Sequence, residues 1–411
     1  MQKMKYAIII GDGMSDYRSE KLGNKTPLQL AKKPYMDMMA SKGIIGFSHN
    51  VPMDMVPESD TANLAVLGYD PKIYSKGRSP LEAVSMGIDM QPDETAFRIN
   101  TVALSEGDVY EELTILDHSA DEIPTEESRQ LIETLEAEMG DEIRKYYTGV
   151  SYRHCLIWKN APKTINFNRP HDILGSVIGE YLPQGEDGKP YYEIMKKSWE
   201  ILKNHPVNID RKKRGLLPAN SLWIWSPGKK PFLTSFEERF GLKGTVVSAV
   251  DLIKGIGLCA GLKVPDIEGA TGNIHTNYEG KAQAAIDAFR NGDDFVYVHV
   301  EAPDECGHRA ETENKVLSIE YLDSRIIKPI YDYLESTGED FKMMFLPDHP
   351  TPLCKRTHSL DAVPYVMYTY GKDEKSGALG YDEFFGHDKE GAVKAKFYSK
   401  GWDMMDELIG K

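Results

Sequence analysis

Three apolar runs in this 411-residue chain end in a carboxylate, and two of them carry a histidine close behind. Tyr6–Ile10 stops at Gly11-Asp12-Gly13. Phe295–Val300 runs into Glu301-Ala-Pro-Asp304, with His308 four residues on, and Lys342–Leu346 meets Pro347-Asp348-His349. A carboxylate and an imidazole four apart share one face of a helical turn and can offer two ligands to one cation. Asp348 and His349 can both reach a cation if the backbone bends sharply, which Pro347 and Pro350 favour. His358 follows in Lys355-Arg-Thr-His-Ser. Taken singly, each has an ordinary explanation: an Asx-type turn for Asp12, a surface turn for Asp348-His349, an exposed loop histidine for His358. Taken together, mixed carboxylate and imidazole donors suit Mn²⁺, Zn²⁺ or Mg²⁺ with positions open to substrate oxygens.

A nucleophile is also on offer. Pro57-Glu-Ser-Asp-Thr-Ala62 precedes a helical stretch, Asn63–Leu67. The default reading of Ser59, Asp60 or Thr61 is an N-cap, yet the same place presents unpaired backbone N–H groups to an anion. Ser59 beside a cation could therefore attack phosphorus. Gly255-Ile-Gly-Leu-Cys-Ala260 loosely matches a dinucleotide fingerprint with Glu279 downstream. The glycines follow a helical Asp251–Lys254 rather than a strand, and a packed glycine turn is expected there. No GxxxxGK[ST] segment and no protein-kinase motif set occurs.

These residues need elements to bring them together. The run Thr245–Val250 resembles the other three, and Lys281–Arg290 and Lys315–Leu334 have helical apolar spacing. Strands alternating with helices over Phe236–Leu346 predict an α/β fold, a mostly parallel sheet flanked by helices that binds ligands at its C-terminal edge. Residues 89–225 read differently, with shorter alternating segments, an amphipathic helix at Glu126–Glu138 and Gly/Pro-rich loops around Leu182–Pro190. They are expected to form an inserted, smaller α+β domain, leaving 1–88 and 226–411 for the sheet domain.

Composition narrows the partners. A chain 41% hydrophobic and 27% charged has a sizeable core. A net charge of −15 disfavours binding to nucleic-acid phosphates but leaves room for a local cationic pocket. No window approaches the roughly 18 apolar residues of a membrane span, and Tyr6–Ile10 is too short for a signal h-region. Cys155, Cys259, Cys306 and Cys354 are far apart, without a CxxC pair, and are expected to be reduced thiols of a cytoplasmic protein. No oligomeric interface is legible.

The ordered motifs resemble the alkaline phosphatase superfamily, and within it the archaeal-type cofactor-independent phosphoglycerate mutases, which also occur in bacteria. Lys76-Gly-Arg-Ser-Pro-Leu-Glu-Ala83, Ala96-Phe-Arg-Ile-Asn100, Tyr152-Arg-His154, Ser248–Gly257, Gly269-Ala-Thr-Gly272 and Val298–Glu305 carry the resemblance beside the segments above. It runs nearly end to end. It implies an alkaline-phosphatase-like fold, one metal on Asp304, His308 and His358, and another on Asp12, Ser59, Asp348 and His349. Two Mn²⁺ ions are implied, with Mg²⁺ or Zn²⁺ as alternatives, and no bisphosphoglycerate. Ser59 would form a phosphoserine, with Lys254 near the phosphoryl oxygens, while 2- and 3-phosphoglycerate interconvert. The inserted domain would act as a lid that excludes water. Arg98, Arg153, His154 and His171 are its candidate cations for the substrate's acidic groups. Ser79-Pro-Leu-Glu-Ala departs from the Gly-Pro-Phe-Glu-Ala common in the subgroup.

Three other readings compete. Proposed homoserine kinases share the subgroup and the metal site; an acidic residue meeting a substrate ammonium would mark one. A metal-dependent phosphatase would need an open cleft. A binding module without catalysis would have no reason to keep all seven metal-site residues.

Overall fold

The computed structural model describes residues 4–388 and 391–411. Its strands, in chain order, are β1 Lys5–Gly11, β2 Ile44–Ser48, β3 Glu94–Leu104, β4 Ile115–Asp117, β5 Arg144–Val150, β6 Arg153–Lys159, β7 Ser221–Gly228, β8 Gly244–Val247, β9 Phe295–Val300, β10 Phe341–Leu346, β11 Val363–Thr369 and β12 Lys396–Tyr398. The chain divides into two units, one made of the chain up to Ser75 with Phe232–Lys411, the other of Lys76–Pro231. The second unit is wider at both ends than the 89–225 read from sequence. The helix Ser79–Ser85 and the end of β7 beyond residue 225 fall inside it.

The first unit holds a seven-stranded sheet in the order β12-β2-β11-β10-β1-β9-β8. β1 lies between two parallel neighbours, pairing Ile10 with Leu346 on one side and with His299 on the other. A parallel strand covered on both faces must be apolar throughout, and every residue of β1 is buried. Successive side chains alternate between faces. Ala7 and Ile9 therefore join Val296, Val298, Phe341 and Phe345 in one core beneath Ala285 and Phe289 of the helix Tyr278–Arg290.

Two local expectations change. Lys315–Leu334 is not one α-helix: Thr312–Tyr321 passes through a π-helical stretch, Leu322–Ile327, into Lys328–Thr337. Pro329 follows this stretch and has no N–H to return to the preceding turn. The widened segment places Asp323, whose carboxylate accepts the Met36 N–H at 2.7 Å and the Tyr35 N–H at 3.3 Å, at the start of the helix Pro34–Lys42. β8 ends at Val247, and Gly255 and Gly257 lie inside the helix Asp251–Cys259, not in a glycine turn. A Cβ on Gly257 would stand 2.8 Å from Val246 Cγ2, so close helix–strand packing explains this glycine.

The second unit is antiparallel throughout, in the order β4-β3-β6-β5 with β7 on the free side of β3. The helices Thr125–Met139 and Gly185–Leu202 bury Leu131, Leu135, Ile194 and Trp199 with Phe97 and Ile99 of β3. The mostly parallel sheet flanked by helices and the inserted α+β unit are the architecture read from sequence. No helix among the described residues is long and apolar enough to cross a membrane, and the cysteines are free.

Candidate functional site

The C-terminal ends of β1, β9 and β10 lie side by side and gather the three carboxylates. Asp12 follows Gly11 directly, with its N–H on Val300 O at 3.0 Å. Asp304 lies in the first turn of the helix Ala302–Arg309, and Asp348 follows the Pro347 bend. Asp304 Oδ2 is 3.2 Å from His308 Nε2, and its Oδ1 is 3.4 Å from His358 Nε2. His349 Nε2 lies 3.6 Å from Asp12 Oδ1, 3.5 Å from Asp348 Oδ2 and 3.3 Å from Ser59 Oγ. All seven residues of the two expected ligand sets therefore converge. Ser59 is the first residue of the helix Ser59–Val66, whose N-cap is Glu58, so its hydroxyl is turned toward His349 rather than used as a cap.

The donor set fits a cation. His308 Nδ1 is 3.0 Å from Arg356 O and His358 Nδ1 is 2.7 Å from Pro57 O, contacts that place the ring N–H there. With both rings neutral, the two Nε2 lone pairs face each other at 3.0 Å, beside the Asp304 carboxylate. Such an arrangement calls for a shared positive centre. Asp12 Oδ1 is buried without a hydrogen-bond donor. Among the described residues the ion-pair partners of Asp12, Asp304 and Asp348 are histidines, not lysines or arginines. Burial, with Asp348 and Asp304 nearby, raises the Asp12 pKa well above the usual carboxylate value. Burial also opposes ionisation of Asp304, but hydrogen bonds from His308 and His358 outweigh it and hold its pKa well below the usual value. His308 is pushed up to about 9, chiefly by Asp304, whereas burial pushes His349 down. Groups that disagree this strongly about protonation cluster at functional sites.

Neighbouring residues lock the loops. Gly13 has φ +61°, and a Cβ there would meet Thr351 Oγ1 at 2.5 Å and Asp304 Cα at 2.9 Å, so only glycine fits. The Thr351 hydroxyl donates to Asp304 Oδ1. Lys315, fully buried, donates to Asp16 Oδ2 at 2.8 Å, Thr351 O at 2.7 Å and Ser15 O at 3.5 Å, tying the loop after β1 to the loop after β10. His299 was missed in the sequence reading. It is fully buried on β9, with Nε2 3.1 Å from Asp12 Oδ2 and Nδ1 3.3 Å from Ser248 Oγ. A histidine inside the apolar run Phe295–Val300 was the available signal. Lys254 Nζ is 3.3 Å from the fully exposed Asp266, a screened pair of little strength; its helix packs on Ser59–Val66.

Three of the four cations expected in the second unit belong to one run of contacts. The Arg98 guanidinium lies 4.8 Å from the Trp225 ring centroid, Trp225 is 5.6 Å from His171, and His171 is 6.0 Å from His118. His118 then meets Tyr152 at 5.4 Å, and Arg153 lies 5.3 Å over that ring. Arg98 also forks onto both oxygens of Glu82. Burial lowers the His171 pKa, so this ring is neutral near pH 7. His154 is not part of the run. It pairs across the sheet with Ile99 of the core, while Arg153 pairs with Asn100 on the face that Arg98 shares. Nδ1 of His154 accepts the Gly149 N–H at 3.1 Å, and burial pushes its pKa down to about 3. Adjacent strand residues cannot face the same way, so Arg153 and His154 were never both available. His118 and Trp225 were missed, being joined to Arg98 only through the sheet.

A family model described as 2,3-bisphosphoglycerate-independent phosphoglycerate mutase matches residues 40–208. The chain is 47% identical over 408 residues to a protein of that name from Methanosarcina barkeri, covering 99% of this chain and 98% of the relative. Among solved structures it is similar to the PH0037 protein from Pyrococcus horikoshii, with TM-score 0.81, 28% identity and coverage of 100% and 98% of the two chains. It is also similar to a cofactor-independent phosphoglycerate mutase from Thermoplasma acidophilum, with TM-score 0.63, 27% identity and 99% of each chain covered.

Proposed function

This chain belongs to the family of 2,3-bisphosphoglycerate-independent phosphoglycerate mutases, and on that premise we propose that it interconverts 2- and 3-phosphoglycerate through a phosphoserine at Ser59. The observation that carries the mechanism is the convergence of Ser59 Oγ with His349 and three buried carboxylates at one sheet edge. Asp304, His308 and His358 would hold one divalent ion, and Asp12, Ser59, Asp348 and His349 the other. When bound, the two ions would neutralise the carboxylates and supply positive charge to the phosphoryl oxygens. Mn²⁺ suits this mixed carboxylate and imidazole set.

Ser59 stands where the first N–H groups of its helix have no intrahelical partner, and these favour an approaching phosphoryl group. In the forward half-reaction the Ser59 Oγ–P bond forms as the glycerate O–P bond breaks. The proton leaving Oγ is balanced by the one gained on the departing glycerate oxygen. The second half-reaction reverses this on the other glycerate hydroxyl. We assign Arg98, Arg153 and His171, with His118 and Trp225, to the substrate's acidic groups, because a planar guanidinium suits carboxylates and phosphates. Lys254 is assigned to the phosphoryl oxygens. Glu82 is already held by the Arg98 guanidinium, and Asp117 accepts the N–H groups of Ser119 and Asp121. This favours the mutase over phosphorylation of an ammonium-bearing alcohol such as homoserine. Four free cysteines support a reducing, cytoplasmic setting.

The test is coupled conversion of 3-phosphoglycerate to 2-phosphoglycerate with Mn²⁺ and no bisphosphoglycerate. Turnover should vanish on chelation, return with Mn²⁺, and be absent in Ser59→Ala. Full turnover of Ser59→Ala would refute the phosphoserine, and activity surviving thorough chelation would refute the metal site.

A further inference from the structure

We propose that Asn63 is a positioning residue that fixes the nucleophile's helix against Asp348, with the Tyr297 hydroxyl setting which way its amide points. The inference rests on reading Ser59 as the nucleophile.

Asn63 is fully buried and lies four residues after Ser59, on the same helix face. Its Nδ2 donates to Ser59 O at 2.8 Å and to Asp348 Oδ2 at 2.8 Å. Its Oδ1 accepts from the Tyr297 hydroxyl at 2.5 Å. Tyr297 is fully buried on β9, beside the strand that ends at Asp12. The three partners agree on one amide orientation. A carbonyl oxygen and a carboxylate oxygen only accept, so each requires the NH₂ group, and the phenol donates to the remaining oxygen. Turning the amide over would aim its oxygen at both acceptors.

The other oxygen of Asp348 is occupied too, accepting the N–H groups of Gly13 at 3.2 Å and His349 at 2.9 Å. Asn63 therefore joins a fully held carboxylate at the end of β10 to the backbone of the residue that bears the attacking oxygen. Among the described residues, Ser59 Oγ has only the 3.3 Å contact to His349 Nε2 to hold its own direction. The position of its backbone decides where that oxygen sits. An amide merely satisfied in a core would need no such link. Here both donors go to groups of the reacting site, and a displacement of about 1 Å in such a site can cost about a hundredfold in rate.

The experiment compares wild type with Asn63→Ala, Asn63→Asp and Tyr297→Phe in the full chain with Mn²⁺. Readouts are the thermal midpoint, kcat and KM for 3-phosphoglycerate, and the rate of phosphoserine formation at Ser59 by rapid quench and mass spectrometry. Asn63→Ala should lower kcat about 30-fold with KM within about threefold, and slow phosphoserine formation in the same ratio. Asn63→Asp, which sets a second carboxylate against Asp348, should lose at least as much. Tyr297→Phe should lose about three- to tenfold in kcat by freeing the amide to turn. A folded Asn63→Ala with kcat within twofold of wild type, or with a loss confined to KM, overturns the proposal. If Asn63→Ala does not fold, an unchanged kcat in Tyr297→Phe overturns it. Absence of phosphoserine in active wild type refutes the Ser59 reading itself, and is read before any variant.

Discussion

Replacing Lys315 with methionine should destabilise the first unit chiefly by leaving the buried Asp16 carboxylate without its counter-charge. Its ammonium is fully buried against Asp16 Oδ2, Thr351 O and Ser15 O. Methionine preserves the apolar stem, so the change isolates the charge. Breaking a buried ion pair from one side leaves the other charge uncompensated, at about 3–5 kcal/mol. Asp16 keeps the Tyr17 N–H at 2.8 Å and the Leu353 N–H at 3.0 Å, which places the loss near the lower end, ~3 kcal/mol. At roughly 2–4 °C per kcal/mol for a unit of this size, the thermal midpoint should fall by about 6–12 °C. In the double variant Asp16→Asn/Lys315→Met the stranded charge is gone, and about 2 kcal/mol of the loss should return. Melting of the metal-free full chain, followed by circular dichroism, gives both numbers. A double variant that melts no higher than Lys315→Met alone would refute the electrostatic account and leave packing as the cause.

Asp323 offers a pH test. Burial raises its pKa to about 6, so its proton is favoured in the folded state. The stability it contributes is present below the usual carboxylate range and is lost as pH rises through about 6. Asp323→Asn cannot ionise, and from pH 5 to 7.5 its stability relative to wild type should improve by roughly 1–2 kcal/mol; parallel melting curves would refute this. His154→Gln should leave KM for phosphoglycerate within about twofold while lowering the melting point, since the ring is buried on the core face. Arg98→Met should raise KM about tenfold or more with little change in metal affinity measured by calorimetry; an unchanged KM would remove Arg98 from the substrate site.

The sheet edge was legible because a strand covered on both faces must be a continuous apolar run, and a carboxylate at its end stands out. The spacing of Asp304 and His308 was legible for the same local reason: a helical turn brings them together. What escaped depends on partners distant in sequence. His299 is a site residue only because β1 lies beside β9. His118 joins Arg98 only through Trp225 and His171. Gly257 was misread because glycine weakens a helix locally, whereas here the close approach of Val246 selects it. The first unit's limits were missed because Ser79–Ser85 is too short to reveal by its pattern which core it joins.

The sheet order also governs how the protein can be synthesised. β1 leaves the ribosome first, yet its partners begin at Phe295 and Phe341. At about 5–20 residues per second, even the nearer of these emerges roughly 15 s to a minute after the first strand. Until then this apolar strand of the catalytic sheet has no native partner, and its exposed edges invite pairing with other chains. The contiguous Lys76–Pro231 can complete its own antiparallel sheet while this wait continues. Nascent chains stalled between Pro231 and Phe295 should therefore contain a folded second unit and a β1 that depends on chaperones to stay soluble.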